Sequence, residues 1–575
     1  MILTLAKLCL LMLSYFGYWE YFRKKCNINL YFLPAFTIAV HVAVLLLPGL
    51  LNFLGDAATV LYLLGLVLFI QALRREKLQL LKPYLNWGYI WLAVMLVLVM
   101  AAVRGKIFVW FDCLTHWATV VKNMLQADRF PTFAQEAVVF SSYPLGSSSA
   151  VYYFCRFVSW EEDIQMLAQA FVLLSMLLPV FAWAEKRRWL CTLVIALMGH
   201  FLLVYNIPVT DLRVDTLLPL VGTAAVLFLF RHCLAQREEK SLHLYYGFPL
   251  LFLTMSVKNT GWFFVAAGLL LIVSTLKKQP GNRKPFAVMT LTLLAGNVLW
   301  NRHCDYVFRA SESSQHALSV SWFSQRAAEK SLEDIWTILR GAAHYAVTRQ
   351  ELKLMLLWLA VLAVIVWLLA ASRKKEFAKL AGVCLVVYVL YTLGVMGMFV
   401  FSMPLEQALR LECIDRYTRT IDTAFYYLFT VCAVSLISRA EKNPGGFGAG
   451  LVLAALTVFT WYASLGSFVT IFTTEYQPGD RQRVEAVLQE YGVQRGYSYL
   501  VCDPDGDYWY SGYVCRYLLD AGKIHQMKVT DESQMAIEKD YDYVIILDEN
   551  NPVIESWVQK TYPDQAGRQV IQCFK

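Results

Sequence analysis

The chain has 575 residues, of which 58% are hydrophobic, 15% aromatic and only 16% charged, and its mean hydropathy is +0.48. A soluble globular protein is nearer half apolar and a quarter charged, so this composition excludes an ordinary soluble domain and indicates a polytopic membrane protein. The net charge of +8 does not indicate a nucleic-acid partner. Residues 475–575 carry 17 acidic and 10 basic side chains, a charge of −7, which leaves +15 on the rest of the chain. That excess is typical of short loops beside a bilayer.

About fourteen apolar stretches are each long enough to cross roughly 30 Å of hydrocarbon as a helix. The first of them lacks the basic start and the small-residue cleavage site of a signal peptide, so we interpret it as a retained span. The predicted spans are residues 3–21, 30–52, 57–73, 84–103, 164–183, 190–206, 214–230, 243–257, 262–276, 286–300, 351–371, 378–400, 421–438 and 447–467.

Clusters of Lys and Arg occur in alternate connections between these spans, and the positive-inside rule makes those connections cytoplasmic. They are 23–25, 74–77, 185–188, 231–240, 277–284, 373–375 and 439–442. The other side then receives the loops 104–163, 206–215, 258–261, 301–350 and 401–419 and the C-terminal tail. All the long loops of mixed composition therefore share one side, where we expect the functional site.

The tail, residues 475–575, changes character and predicts a small α/β domain with a short, largely parallel sheet. Its predicted strands are 497–502, 543–548 and 569–574, and its predicted helices are 481–491, 509–519 and 552–560. It has no G-x-G-x-x-G sequence and no P-loop, so we assign it no nucleotide. The acidic segment 503–507 lacks the downstream glutamate of a calcium loop and is interpreted as a strand-to-helix turn.

The polar residues that are best suited to catalysis lie in the first long loop, in Phe111–Ala118. At helical spacing, tryptophans and leucines form one face and ionisable groups the other, a pattern typical of a helix at the membrane–water boundary. Asp112 and His116 are four residues apart and share a helix face, so together they are candidates for the general base of a hydroxyl acceptor. The alternative is that Asp112 only caps the first helical turn.

Two acids precede the seventh span. Asp211 and Asp215 are also four apart, and we expect them to point the same way from a helix N-terminus. They are candidates for supporting a base or a metal ion, although the helix dipole alone would favour acids at this place. His303, His316 and His344 have no ligand spacing, so no zinc site is predicted and the identity of any metal stays open.

Three basic residues on the same side are candidates for binding a phosphate. Lys258 lies between two spans with almost no loop around it, beside Gly261, which lets another backbone approach. Arg416 and Arg419 are three residues apart at the start of the thirteenth span and could hold phosphate oxygens. Snorkelling of the lysine and anchoring of a helix end by the arginines are the alternatives.

These motifs, in this order, resemble the GT-C superfamily of integral-membrane glycosyltransferases. The resemblance is to bacterial members whose first external loop reads Trp-Asp-Glu-x-x-x-Trp, where this chain has Phe111-Asp112-Cys113-Leu114-Thr115-His116-Trp117 followed by Tyr143-Pro144-Leu145-Gly146. It implies an N-terminal addition (1–83), a GT-C-like membrane core (84–470) with external loops 104–163, 301–350 and 401–419, and an extracytoplasmic α/β domain (475–575).

The resemblance also implies an activity. A multi-pass enzyme of the plasma membrane would move a sugar, usually with inversion, from a polyprenyl-phosphate donor to a glycan, lipid or protein acceptor of the cell envelope. Asp112 would be the general base, and the acidic turn at Asp211 and Asp215 would support it. Cys113 stands where many members have a second acid, so a divalent cation is not firmly implied.

Two other classes of protein remain open. A lipid-linked polysaccharide flippase or polymerase, or another multi-pass transporter, would share the size and the basic loops, and it predicts charged residues in the membrane interior. A non-catalytic scaffold or sensor would bind through its tail and would retain its function after Asp112→Asn.

Overall fold

The computed structural model describes residues 2–132, 143–202, 209–234, 242–307, 320–440, 479–505 and 510–573, with a few helical residues between 448 and 458. The predicted span 447–467 falls largely outside these ranges, as do His316 and parts of the loops 206–215 and 301–350. The described chain is mostly helical, because a segment in hydrocarbon must satisfy its backbone hydrogen bonds internally.

The α-helices are numbered in chain order. They are α1 (Ile2–Lys25), α2 (Leu33–Leu50), α3 (Leu54–Glu76), α4 (Trp87–Val103), α5 (Ala118–Ala127), α6 (Gly146–Phe157), α7 (Glu162–Leu177), α8 (Arg188–Phe201), α9 (Leu217–Phe228), α10 (Leu242–Tyr245), α11 (Phe248–Val257), α12 (Trp262–Thr275), α13 (Arg283–Val307), α14 (Val320–Ala328), α15 (Leu332–Thr348), α16 (Gln350–Leu369), α17 (Lys374–Phe401), α18 (Leu405–Leu409), α19 (Ile414–Ser438), α20 (Gly479–Glu490), α21 (Tyr510–Leu519) and α22 (Pro552–Thr561).

Short helices of other types extend or join these. Turns of π-helix cover Cys113–Trp117 and Leu229–Leu234. The 3₁₀ helices are Leu30–Phe32, Lys77–Tyr84, Leu178–Trp183, Asn259–Gly261, Pro280–Asn282, Ala371–Arg373, Glu532–Asp540 and Pro563–Gln565.

Within the described residues, eight helical segments are long and apolar enough to cross a membrane. They are Ile2–Lys25, Leu30–Leu50, Leu54–Glu76, Glu162–Trp183, Leu217–Leu234, Leu332–Leu369, Ala371–Phe401 and Ile414–Ser438. The apolar helices Trp87–Val103, Arg188–Gly199 and Asn259–Thr275 are shorter. A membrane protein with many helices is thus the architecture, whereas the predicted number of fourteen spans is not confirmed.

The helices differ in how much of their surface other helices cover. The most apolar stretch of Glu162–Trp183 is 94% buried, and those of α9 and α19 are each 83% buried, whereas that of α17 is only 22% buried. The central helices α7, α9 and α19 therefore form the packed interior, and α17 presents its apolar residues outward, as a helix facing lipid does. At the periphery, α1 and α3 pack so closely that a Cβ atom added at Gly17 would overlap the carbonyl oxygen of Gly65.

The C-terminal unit contains a four-stranded sheet in the order β2-β1-β3-β4, formed by β1 (Ser498–Cys502), β2 (Lys523–Met527), β3 (Tyr543–Ile546) and β4 (Val570–Gln572). Strand β1 pairs in parallel with β2 and β3, and β4 is antiparallel to β3. The predicted α/β character is confirmed. The prediction omitted β2, because this half-exposed edge strand contains Lys523, His525 and Gln526 and lacks a continuous apolar run.

Candidate functional site

Four ionisable side chains from distant parts of the sequence meet at one end of the helical bundle. Asp112 lies just before the π-helical turn that leads into α5, and Asp215 lies two residues before α9. Lys258 separates α11 from a 3₁₀ turn, and Arg416 lies in the first turn of α19. We call these four residues the charge cluster.

Arg416 is the bridge of the charge cluster. Its Nε and Nη2 atoms donate to Oδ2 of Asp215 at 3.0 and 2.8 Å, while Nη1 lies 2.5 Å from Oδ2 of Asp112. One guanidinium therefore contacts two carboxylates through different nitrogens, a use of its fixed donor geometry that an ammonium cannot reproduce. Asp112 is held by one nitrogen and Asp215 by two.

Lys258 completes the cluster from the other side of Asp215. Its Nζ donates to Oδ1 of Asp215 at 3.0 Å, and it lies 5.7 and 5.5 Å from the ring centroids of Tyr143 and Tyr417. Lys258 is thus a buried ammonium between a carboxylate and two aromatic faces, an arrangement that favours its charged form. It does not snorkel to the surface, because its residue is 8% exposed.

The electrostatics of the cluster follow from these contacts. Burial acts to raise the pKa of Asp215, but the charges of Lys258 and Arg416 outweigh it and hold that pKa well below the usual aspartate value. Burial likewise acts to lower the pKa of Lys258, and the Asp215 carboxylate reverses the shift, so that pKa is raised. Two anions and two cations therefore form a balanced cluster, in which the contacts run from Lys258 to Asp215, from Asp215 to Arg416 and from Arg416 to Asp112.

Asp211 pairs with Arg213 instead of with the cations of the cluster, and the helix N-terminus from which it was predicted to point with Asp215 is not formed. Residues 211–216 form an irregular segment before α9 instead of a helix. The Asp211 carboxylate receives hydrogen bonds of 2.8 Å from Nε and from the backbone N–H of Arg213. Burial raises the pKa of Asp211 despite that arginine, so the two neighbouring acids differ in electrostatic character.

The segment around Asp112 differs from the predicted interfacial helix. Polar and apolar faces are both covered, since Thr115, His116 and Thr119 are buried together with Leu114 and Trp117. The C-terminal unit and α6 pack against this segment and remove its expected solvent-facing side. Asp112 makes no side-chain capping hydrogen bond. Its carboxylate turns to Arg416 instead, which removes the structural alternative of a simple cap.

His116 lies in an aromatic environment. Its ring centroid is 4.6 Å from that of Trp117 and 5.4 Å from that of Tyr143, both in edge-to-face arrangements, and the residue is 0% exposed. Burial, together with the nearby charge of Lys258, lowers the pKa of His116 to about 3. The imidazole is therefore neutral at physiological pH, and its role beside Asp112 stays a prediction.

Arg419 lies away from the charge cluster. Its Nη2 is 3.5 Å from carboxylate oxygens of Glu351 and Asp415. A second, fully buried ion pair lies one turn deeper, between Arg349 and Asp422, and Tyr388 accepts a hydrogen bond of 3.2 Å from the same arginine. This pair was not predicted, because Asp422 looks like a single polar residue within an apolar helix when read from the sequence.

A narrow groove lies between α2, α6, α11 and α13, near the residues that flank the cluster in the chain. It is mostly apolar, and Ser149, Ser256 and Asn297 add polar atoms to its wall. Its lining includes Pro144, the residue after Tyr143, and Ser256, two residues before Lys258. The groove is therefore lined by residues that lie close in the chain to Tyr143 and Lys258.

The aromatic residues next to Asp112 were also not assigned a role from the sequence. Trp110 is 46% exposed, and the Arg213 guanidinium lies 4.6 Å from the centroid of its ring. Phe111 is 41% exposed and contacts Tyr513 of the C-terminal unit edge to face at 5.0 Å. These exposed rings form an aromatic rim on the chain immediately before Asp112.

The described residues contain no group of three or more His, Cys, Asp or Glu side chains that could hold a metal ion. Comparison of the chain with protein-family models, with curated proteins and with solved structures gave no match.

Proposed function

We propose that the protein is a membrane glycosyltransferase that moves a sugar from a polyprenyl-phosphate donor to a hydroxyl of a cell-envelope acceptor, at the extracytoplasmic face of the plasma membrane. The observation that carries the proposal is the bridge made by Arg416 between Asp112 and Asp215, with Lys258 beside it. A carboxylate and two cations in contact are the groups that such a transfer needs: a base for the acceptor and positive charge for the leaving phosphate.

The unequal contacts of Arg416 support an order of events. An incoming phosphate competes with Asp112 for Nη1, a single contact, more easily than with Asp215, which is held through Nε and Nη2. A carboxylate oxygen that is released from a guanidinium is open to contact by the acceptor hydroxyl. Binding of the donor phosphate would therefore free Asp112 to act as base.

The transfer step then proceeds as a displacement. The acceptor hydroxyl attacks the anomeric carbon of the donor sugar, and Asp112 takes the hydroxyl proton. The bond between that carbon and the phosphate oxygen breaks, and its electron pair leaves with the polyprenyl phosphate. Lys258 and Arg416 stabilise the charge that develops on the phosphate. Attack opposite the leaving group gives inversion.

The surroundings of the cluster support a lipid-linked donor. The lining of the groove beside Pro144 and Ser256 is mostly apolar, which is the chemical character that a prenyl chain needs, and Ser256 lies two residues before Lys258. The exposed rings of Trp110 and Phe111 suit a sugar, whose apolar face packs against aromatic rings. His116, neutral and buried, packs edge to face against Trp117 and Tyr143, and Arg419 anchors the start of α19 through Glu351.

The proposal is tested with the full-length protein reconstituted in liposomes that contain polyprenyl-phosphate sugars, together with a panel of glycan, lipid and protein acceptors. Asp112→Asn keeps the size of the side chain and removes the base, so kcat should fall by about 10²–10⁴-fold. Asp415→Asn is the matched control, because this acid lies beside Arg416 but 46% of its side chain is exposed. Its kcat should stay within about twofold of wild type.

A second variant separates donor binding from base catalysis. Lys258→Ala should raise the apparent KM for the donor more than it changes the apparent KM for the acceptor, because the lysine contacts the donor phosphate. Equal transfer by wild type and Asp112→Asn would exclude Asp112 as base. An unchanged donor KM in Lys258→Ala would exclude its contact with the phosphate.

A lipid-linked polysaccharide flippase or polymerase is the second candidate, and one observation favours it. The Arg349–Asp422 pair lies within the helical bundle with both side chains about 1% exposed, and buried charges at membrane depth are common in transport pathways. In that case Asp422→Asn would abolish movement of a fluorescent lipid-linked sugar across the liposome membrane, while Asp112→Asn would leave it intact. Loss of sugar transfer in Asp112→Asn, with transfer retained in Asp422→Asn, supports the enzyme.

A further inference from the structure

The C-terminal unit contacts the chain on both sides of Asp112. On the N-terminal side, the contact is made by Arg481, which is 2% exposed. Its guanidinium donates to both carboxylate oxygens of Glu162, at 2.9 and 2.7 Å, and to the carbonyl oxygen of Phe108. Glu162 in turn accepts the backbone N–H of Phe108 at 2.5 Å. Both backbone polar groups of Phe108 are thus fixed by one buried ion pair.

Helix α21 supplies the neighbouring contacts. The hydroxyl of Tyr510 donates to the carbonyl oxygen of Val109 at 2.8 Å, and the ring of Tyr513 packs against Phe111. The chain from Phe108 to Phe111 is therefore held at three successive points, and Asp112 is the next residue.

The C-terminal side of Asp112 is held in the same way. Lys122, in α5, lies 2.7 Å from a carboxylate oxygen of Asp520, and it also donates to the carbonyl oxygen of Tyr517 at the end of α21. Burial lowers the pKa of Lys122, and the Asp520 carboxylate opposes that shift. The π-helical turn Cys113–Trp117 lies between the two sets of contacts.

We infer that the C-terminal α/β unit is a positioning element of the catalytic segment, and that Arg481 is its principal positioning residue. The inference rests on the proposed function for its kinetic consequence, since it concerns where Asp112 is held for proton transfer. Arg481 acts through Phe108. Among the described residues, it makes no contact with Arg416 or with the groove. Displacement of a base by about 1 Å lowers the rate of a reaction strongly, so a rigid support on both sides of Asp112 has catalytic value.

A wide π-helical turn explains why external support is needed. Such turns are rare and less regular than α-helix, and they occur where a side chain must be held out of the regular helical repeat. The thiol of Cys113 accepts the backbone N–H of Leu212 at 3.3 Å, which ties this turn to the segment that carries Asp215. The tail contacts and this hydrogen bond together fix Asp112 relative to Asp215.

The experiment is hydrogen–deuterium exchange with mass spectrometry on the full-length protein in nanodiscs, combined with transfer kinetics. Arg481→Ala should increase the exchange of amides 108–117 by at least about tenfold. It should lower kcat while the donor KM stays within about twofold, because Lys258 and Arg416 are untouched. Arg481→Lys, which retains the charge but loses the two-pronged contact, should lie between wild type and Arg481→Ala.

Gln482→Ala is the matched control, on an exposed position of the same helix α20, and should leave exchange at 108–117 unchanged. If Arg481→Ala does not fold, Tyr510→Phe removes only the hydroxyl contact with Val109 and is measured in the same way. Unchanged exchange of amides 108–117 in a folded variant overturns the inference. If the wild type transfers sugar, a variant with faster exchange but unchanged kcat overturns it as well. If the wild type transfers no sugar at all, the proposed function fails, and exchange alone decides whether the tail orders the segment.

Discussion

Replacing Asp215 by Asn tests the charge cluster most directly. The substitution removes one negative charge and leaves Lys258 and Arg416 close together with Asp112 as their only carboxylate within the cluster. Removing one partner of a fully buried ion pair costs about 3–5 kcal/mol. Side-chain exposures of 13% for Asp215 and 23% for Arg416 admit some solvent screening, so we expect a loss of about 2–3 kcal/mol.

The assay is thermal unfolding of the full-length protein in one detergent, followed by tryptophan fluorescence, with Asp211→Asn as the comparison. The two substitutions are chemically identical and four residues apart. Burial raises the pKa of Asp211, so the fold disfavours its charge and its neutralisation should cost less than that of Asp215. Equal decreases in Tm for the two variants would refute the assignment of Asp215 as the centre of the cluster.

The same comparison has a pH dependence with a defined sign. The folded protein lowers the pKa of Asp215, so the stabilisation by its charge is present above the unfolded value of about 4 and is lost as the pH falls below it. Wild type should therefore lose more stability than Asp215→Asn when the pH is lowered from about 5 to 3. A difference between the two that stays constant over this interval would contradict the electrostatic explanation.

Three further predictions concern the surroundings of the cluster. His116→Asn should leave the shape of the pH–rate profile between about pH 5 and 8 unchanged, because the pKa of His116 is already lowered to about 3; loss of a titration step in that range would show otherwise. Burial raises the pKa of the Cys113 thiol, so in the folded protein maleimide should label the exposed Cys413 and spare Cys113, as read by mass spectrometry. Gly261→Ala should destabilise the protein by about 1–3 kcal/mol in thermal unfolding, because the added Cβ would overlap the carbonyl oxygen of Thr254; a Tm equal to wild type would mean that this turn has room.

Four of the residues selected from sequence patterns contact one another in a single cluster, whereas Asp211 and Arg419 have other partners. A charge at the edge of an apolar span is costly unless it is paired or functional, so the sequence indicated Asp215, Lys258 and Arg416 as candidates. The glycine after Lys258 indicated close backbone approach, and Gly261 indeed packs against the backbone of α11. Alternating basic loops placed these residues on one side, and their contacts now bring them together.

The partners within the site could not be predicted. Asp215 and Arg416 are 201 residues apart, and Arg349 and Asp422 are 73 apart, so their pairing depends on how whole helices pack. Helical periodicity was also a poor guide at Asp211, because the segment before α9 is irregular and Asp211 pairs with Arg213. Burial of both faces of the segment around His116 was missed, because one of the two elements that pack against it, the C-terminal unit, follows more than 350 residues later in the chain.

The prediction of the C-terminal unit shows the same division between local and distant information. Strand β3 is buried throughout and β1 is buried from Tyr499 onward, and their apolar runs identified both from the sequence. Strand β2 is stabilised by its hydrogen bonds to β1 and not by its own apolar content, so its sequence gives little signal. The surface by which this unit contacts Phe108 and Lys122 has no sequence pattern at all.

The ion pair between Glu162 and Arg481 joins residues 319 positions apart, and Lys122 contacts the carbonyl of a residue 395 positions later. A chain is synthesised from its N-terminus, and its early segments fold while the rest is still absent. The helical bundle can therefore assemble well before the segment that carries Asp112 receives its last contacts. The contacts that position Asp112 form only after residues 481–520 have been synthesised. A chain interrupted before them would place its helices in the membrane without those contacts.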